Sequence, residues 1–191
     1  GRRGNTSAAS SPFTFTLDTS ASAPTLALAG DTGTNTTDGI TSNGQVNVSG
    51  LESGASWEYS TDGGTSWNAG SGTSATLAGD GAKSVLVRQT DTAGNTSAAS
   101  SALTFTLDTT ASAPTLALAA DTGSDATDKL TKNGQVNVSG LESGASWEYS
   151  LDGGTVWTAG SGTNFTLSGD GAKSVLVRQT DAAGNTSAAS T

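Results

Sequence analysis

The chain has 191 residues, a formal net charge of −9, 26 glycines and no cysteine, methionine or histidine. Without cysteine there is no disulfide framework, thiolate zinc site or iron–sulfur cluster, and without histidine no imidazole base, Ser-His-Asp triad or imidazole-ligated metal. The acidic balance argues against nucleic acid as a partner, because phosphate binding needs a basic face, and with no apolar run near the ~20 residues of a membrane span no membrane insertion is expected.

Leu, Ile, Val and Phe together number 29, about 15% of the chain. A share below ~20% with high net charge is associated with disorder. Here charged residues are only 13%, and the four Trp and two Tyr lie in alternating, turn-bounded contexts. The expectation is a folded chain with thin cores that need further support.

In chain order, Gly1-Arg2-Arg3-Gly4 opens without a secretory signal pattern, and the chain reads as a fragment of something larger. Residues 13–17 then alternate Phe13, Phe15 and Leu17 around threonines. From residue 12 onward the chain is a tandem repeat. Ser56-Trp57-Glu58-Tyr59-Ser60 returns as Ser146-Trp147-Glu148-Tyr149-Ser150, an offset of 90 residues, and residues 12–101 match 102–191 at 72 of 90 positions. Gly94-Asn95-Thr96-Ser97 recurs at Gly184-Asn185-Thr186-Ser187 and already stands at Gly4-Asn5-Thr6-Ser7. Duplicated modules of this size work as strings rather than as one catalytic unit.

Within a period the apolar pattern has period two, and turn residues break it. In the second copy the pattern predicts strands over 115–119, 135–139, 146–150, 155–158, 164–167 and 173–180. Asp152-Gly153-Gly154, Gly169-Asp170-Gly171 and Ala183-Gly184-Asn185 supply turns. The closing strand, by analogy with Leu103–Leu107, is the last. About seven short strands and no helical segment predict an all-β chain of two tandem immunoglobulin-like, seven-stranded β-sandwiches in an elongated rod. Trp57 and Trp147 are expected in the sandwich cores, with Tyr59 and Tyr149 on the same faces. Trp67 and Trp157 are read as covers for a sheet edge; the alternative is that the chain is an immunoglobulin-like binding module that itself contacts a glycan or host protein through these two tryptophans.

Three stretches carry a resemblance: Trp147-Glu148-Tyr149-Ser150-Leu151-Asp152-Gly153-Gly154, Val177-Arg178-Gln179-Thr180-Asp181-Ala182-Ala183-Gly184-Asn185 and Thr106-Leu107-Asp108-Thr109-Thr110-Ala111. Together with Ala120-Asp121-Thr122-Gly123 and Asp128, they resemble the bacterial immunoglobulin-like repeats of giant RTX-type surface adhesins secreted by a type I system. The resemblance implies stalk-forming extender domains on the bacterial cell surface. They would bind Ca²⁺ at and near domain junctions and serve attachment or biofilm formation. Gly1-Arg2-Arg3 departs from the pattern: it stands where Asp91-Thr92-Ala93 does and removes an acidic position.

Family practice and sandwich topology set the boundaries. Residues 1–19 are expected to carry the closing strand of a preceding repeat, 20–110 to form the first domain, and 111–191 the second, which lacks its own closing strand. An uncovered edge invites strand addition. Residues 13–17 (Phe13, Phe15, Leu17) of one molecule are therefore expected to complete the second domain of the next, head to tail. The alternative makes 13–17 the first strand of its own repeat.

Sandwich topology brings Asp31, Asp38, Asp62, Asp80 and Asp108 to one end of the first domain, facing Glu142 and Asp181 of the second. Up to seven carboxylates are expected at that junction, and such a cluster repels itself unless a cation intervenes. Ca²⁺ takes six to eight oxygens, whereas Mg²⁺ demands a tighter octahedron and keeps its waters. The candidate ligands are Asp18, Asp31, Asp38, Glu52, Asp91, Asp108, Asp121, Asp128, Glu142 and Asp181. Asp62 and Asp80 also read as turn formers in Asp-Gly contexts. Lys129 and Lys132, replacing Gly39 and Ser42, are expected to weaken the second copy's Asp128 position. Sequons such as Asn47-Val48-Ser49 are read as coincidence. The chain is expected not to be an enzyme. Glu148 and Asp152 are the only acid pair near one strand, and a small sandwich offers little cleft.

Overall fold

The computed structural model describes Gly1 and residues 3–190; Arg2 and Thr191 lie outside the described residues. All of its regular structure is β-strand. The first repeat contains β1 (Thr25–Leu28), β2 (Ile40–Thr41), β3 (Gln45–Ser49), β4 (Ser56–Ser60), β5 (Asn68–Ala69), β6 (Ser74–Thr76), β7 (Gly81–Thr90) and β8 (Leu103–Leu107). The second contains β9 (Thr115–Leu118), β10 (Gln135–Ser139), β11 (Ser146–Ser150), β12 (Thr158–Ala159), β13 (Asn164–Thr166) and β14 (Leu176–Thr180).

In the first repeat the sheet β1-β3-β6 faces the sheet β2-β8-β7-β4-β5. Its strand pairings are antiparallel except for the parallel β2–β8 pair. The second repeat keeps β9-β10-β13 and β12-β11-β14. The fold is therefore all-β, two tandem immunoglobulin-like sandwiches, as the alternation and turn spacing predict.

Inward positions follow the period-two pattern. Val46, Val85, Phe105 and Leu107 form one buried cluster; Val48, Trp57 and Val87 form another. Val138, Trp147 and Val177 make the counterpart in the second repeat. Trp57 and Trp147 are core residues, and Tyr59 and Tyr149 pack half-buried against them. Each Trp is seated by a hydrogen bond from its indole N–H, to the Gly72 carbonyl and the Gly162 carbonyl respectively, both at 2.9 Å. Phe165, standing where the first copy has Ala75, stacks on Tyr149 at 4.4 Å between centroids.

Three strand assignments differ from expectation. The first is an extra short strand, β2, which crosses to the opposite sheet from β1 and brings the first repeat to eight strands. The loop between them turns at Gly39, with φ of 71°. Second, the expected strand over 155–158 is instead the two residues Thr158–Ala159, because Asp152 holds Thr155 and Val156 in its turn. Third, the expected strand over 173–180 is regular only over Leu176–Thr180. In the first repeat, residues 81–85 are strand because they pair with Leu103–Leu107. The equivalent residues 171–175 have no such partner among the described residues. Val85 is fully buried, while Val175 is only half-buried.

A candidate metal centre at each linker

The two linkers are built alike. Pro24 and Pro114 are buried at the entry to each sandwich, and the preceding residues lie against two loops. Buried Gln179 donates to the Ser112 carbonyl at 2.6 Å and the Gly140 carbonyl at 3.1 Å, while its own carbonyl accepts from the Glu142 N–H at 2.8 Å. Glu142 in turn accepts from the Ser112 N–H at 2.8 Å. Asn185 donates to the backbone carbonyl of Asp108 and to the Asp181 carboxylate, each at 2.8 Å. Every one of these bonds recurs 90 residues earlier, through Gln89, Glu52, Asn95, Asp91, Ser22 and Asp18.

This docking gathers carboxylates. Asp108, Glu142 and Asp181 each offer an oxygen within 4.8 Å of the others, and Asp18, Glu52 and Asp91 do the same. Asp91 and Asp181 are buried. The described ion pairs, Arg88 with Glu58 and Arg178 with Glu148, lie elsewhere. Like charges this close repel, and the repulsion grows as water is excluded from between them. The Asn95 side-chain amide holds the Asp91 carboxyl below the usual range, outweighing the desolvation that acts the other way. The donor set is oxygen only, and each carboxylate keeps acceptor sites beyond its hydrogen bonds, so the set fits a hard cation such as Ca²⁺. Such an ion would remove the repulsion.

The seven-carboxylate junction requires correction: the group within reach of one ion is three. Asp62 lies in its own turn, accepting from the N–H of Thr65 and of Ser66 and from the Ser60 hydroxyl. Asp80 accepts from the Thr109 N–H at 3.1 Å and the Thr109 hydroxyl at 2.7 Å, so it holds the linker from the first repeat's side. Asp31 accepts from the Gly39 N–H at 2.9 Å, and Asp121 from the Lys129 N–H at 2.8 Å. The other carboxylate oxygen of each, Oδ1, is buried without a partner. Asp38 and Asp128 accept from the N–H two residues ahead. These four brace the long loop of each repeat and belong to neither group of three. The loop of the first repeat also touches the second: the Thr32 hydroxyl donates to the Ala183 carbonyl at 2.6 Å, and Gly33 packs against Ala182 and Ala183.

Sequence reasoning misses Asn95, Asn185, Gln89 and Gln179 as linker residues. A partial signal is present: Gln89 and Gln179 sit at inward positions of β7 and β14, where a polar residue needs partners. The aromatic and acidic alternatives resolve differently. Arg88 lies 4.1 Å from the Trp67 ring centroid and Arg178 lies 4.0 Å from that of Trp157. Each arginine also pairs with the glutamate opposite it on the neighbouring strand. Glu148 is thus engaged by Arg178, and Asp152 by its own turn.

No family model and no curated protein matches the chain. Among solved structures it is similar to the fibronectin(III)-like modules of Clostridium thermocellum CbhA, at 12% identity and a TM-score of 0.41, over 86% of this chain and 90% of that one. No helix long and apolar enough to cross a membrane occurs among the described residues.

Proposed function

We propose that the chain is a stretch of extracellular stalk, two extender repeats of a bacterial surface adhesin whose junctions are stiffened by Ca²⁺. The observation that carries this reading is the group Asp108, Glu142 and Asp181. Asp108 leaves the last strand of the first repeat, while the other two belong to loops of the second. An ion held there ties the exit of one repeat to the entry of the next. The linker already has backbone anchors on both sides, at Asp80 and at Asn185 and Gln179. An ion would convert a hinge into a fixed angle. Because it binds the folded arrangement, it also raises stability by mass action. A stiff stalk projects a distal adhesive domain for attachment or biofilm formation.

The test is thermal unfolding with and without millimolar Ca²⁺, against a Mg²⁺ control, together with small-angle scattering. A Tm increase for Ca²⁺ alone, with a longer and narrower pair-distance distribution, supports the reading. No Ca²⁺-specific change in either readout overturns it.

A further inference from the structure

Two loops from different repeats meet beside the linker. The Thr32 hydroxyl donates to the Ala183 carbonyl at 2.6 Å, across 151 residues of chain. At the same point the two backbones touch. A Cβ on Gly33 would overlap the Ala182 carbonyl oxygen, and one on Gly184 would lie 3.0 Å from the Gly33 nitrogen. Ala183, in a turn between strand and chain surface, is fully buried. The contact uses none of the three carboxylates at 108, 142 and 181.

Each half of the contact is shaped within its own repeat. The Thr32 hydroxyl accepts from the Ser42 N–H at 2.7 Å, and Asp31 accepts from the Gly39 N–H at 2.9 Å. The same two bonds recur at Thr122 with Lys132 and at Asp121 with Lys129. In the facing turn, the Gly184 N–H donates to the Asp181 carbonyl at 3.2 Å and the Asp181 N–H to the Asn185 carbonyl at 3.0 Å, and residues 91–95 are closed in the same way. Neither half therefore needs the other to take its shape. The repeat also keeps what the contact uses. Six of the nine positions from 34 to 42 differ from their equivalents 90 residues on, while Asp31-Thr32-Gly33 and Asp121-Thr122-Gly123 are identical. Ala-Gly-Asn is identical at 93–95 and 183–185, whereas Thr92 becomes Ala182. Position 182 turns its side chain toward Gly144 of its own repeat and presents its carbonyl to Gly33, so residue type is free to vary there.

We infer that Thr32-Gly33 and Ala182-Ala183-Gly184 form a metal-free latch that sets the angle between the two repeats. The bonds from Asp80, Asn185 and Gln179 hold the chain that joins the repeats. The latch ties the repeats to each other directly, and a second point of attachment restricts rotation about the first. Two preshaped loops in backbone contact slide little, because packed surfaces have no spare volume to give. The hydrogen bond adds direction: a hydroxyl has one proton and a carbonyl none, so Thr32 donates and Ala183 accepts. Opening the latch without water at hand leaves that carbonyl unsatisfied. The partner this surface fits is a following repeat whose turn reads Ala-Gly after a residue of any type. A larger side chain at 183, or any Cβ at 184, excludes it. The latch needs no ion and stands apart from the Ca²⁺ reading.

The test places spin labels on Thr65→Cys and Thr155→Cys of the 191-residue chain, which has no native cysteine; both are exposed turn residues. Pulsed dipolar spectroscopy in EDTA then reads the distribution of distances between the repeats. Gly33 has φ of 95°, so a side chain there strains its own loop, and the added bulk goes on the facing turn instead. Ala183→Gln wedges the latch open and is expected to shift and broaden the distribution. Ala93→Gln makes the same change in the same turn of the first repeat, where the residue is exposed, and is expected to leave the parental distribution. Thr32→Val removes the hydrogen bond without adding bulk and is expected to broaden the distribution as well. Thr122→Val loses the matching bonds within its own loop and is expected not to. A parental distribution in Ala183→Gln or in Thr32→Val overturns the latch, and so does equal broadening by either control.

Discussion

The side-chain amide of Asn185 donates to the backbone carbonyl of Asp108 at 2.8 Å, so a loop of the second repeat grips the residue that leaves the first. Asn95 makes the same bond to Asp18 at 3.1 Å. Asn185→Ala removes the anchor of Asp108 and a donor to buried Asp181. The expected outcome is a loss of about 1–3 kcal/mol in urea unfolding and a reduced Tm response to Ca²⁺.

Gln179 satisfies three backbone groups from a fully buried position. Gln179→Leu preserves much of the volume and strands the Ser112 and Gly140 carbonyls and the Glu142 N–H. Such orphaned groups cost about 1–3 kcal/mol each when they stay dry. Urea unfolding should therefore show a loss larger than that of Gln135→Leu, at a half-buried site on β10.

A Cβ at Gly160 would overlap the ring of Trp147, and one at Gly70 would overlap that of Trp57. Each ring is fixed by its indole hydrogen bond and cannot withdraw freely. Gly160→Ala is expected to cost roughly 1–3 kcal/mol as an overpacking change. Tryptophan fluorescence followed through urea unfolding reads the loss.

Lys129 holds a left-handed backbone with φ of 60° where the first copy has Gly39 at 71°. That conformation costs a side-chain-bearing residue about 1–2 kcal/mol. Its N–H bond to Asp121 is a backbone bond that glycine retains. Lys129→Gly should therefore stabilise the second repeat by about 1 kcal/mol, read as a higher urea midpoint with unchanged slope.

The Asp62 carboxyl is held well below the usual range, first by the Ser66 hydroxyl and then by the Ser66 N–H and Ser60 hydroxyl. The Asp152 carboxyl is also lowered, first by the Val156 N–H and then by the Ser150 hydroxyl. A depressed folded value means that the stabilisation is complete above the unfolded carboxylate range near ~3.9. It is lost as pH falls below that range toward the folded values. Tm measured from pH 5 to pH 2 should fall less steeply in Asp62→Asn/Asp152→Asn than in the parent, although the variant starts lower.

The fold is legible in the sequence because its signals are local. Val46 and Val48, Trp57 and Tyr59, and Val85 and Val87 declare inward faces by alternation, and Asp62-Gly63-Gly64 declares a turn. The site is half legible. Asp18, Glu52, Asp91, Asp108, Glu142 and Asp181 are all among the candidates, but so are Asp31, Asp38, Asp121 and Asp128, which brace loops instead. Nothing in residue type separates a carboxylate that caps its own loop from one that meets two others.

Features that depend on neighbours along the chain can be read from residue order: the strands, the turns, the tryptophan-centred cores and the 90-residue repeat. Which distant groups meet is a property of the folded molecule. Folding sorts the six carboxylates into two threes, 18/52/91 and 108/142/181. It assigns Gln89, Gln179, Asn95 and Asn185 to the linkers. It also leaves residues 171–175 outside β14. The physical reason is that strand formation at 81–85 and 171–175 depends on a partner supplying hydrogen bonds from elsewhere. The same Gly-Ala-Lys-Ser-Val sequence is strand beside β8 in one repeat and irregular without a partner in the other.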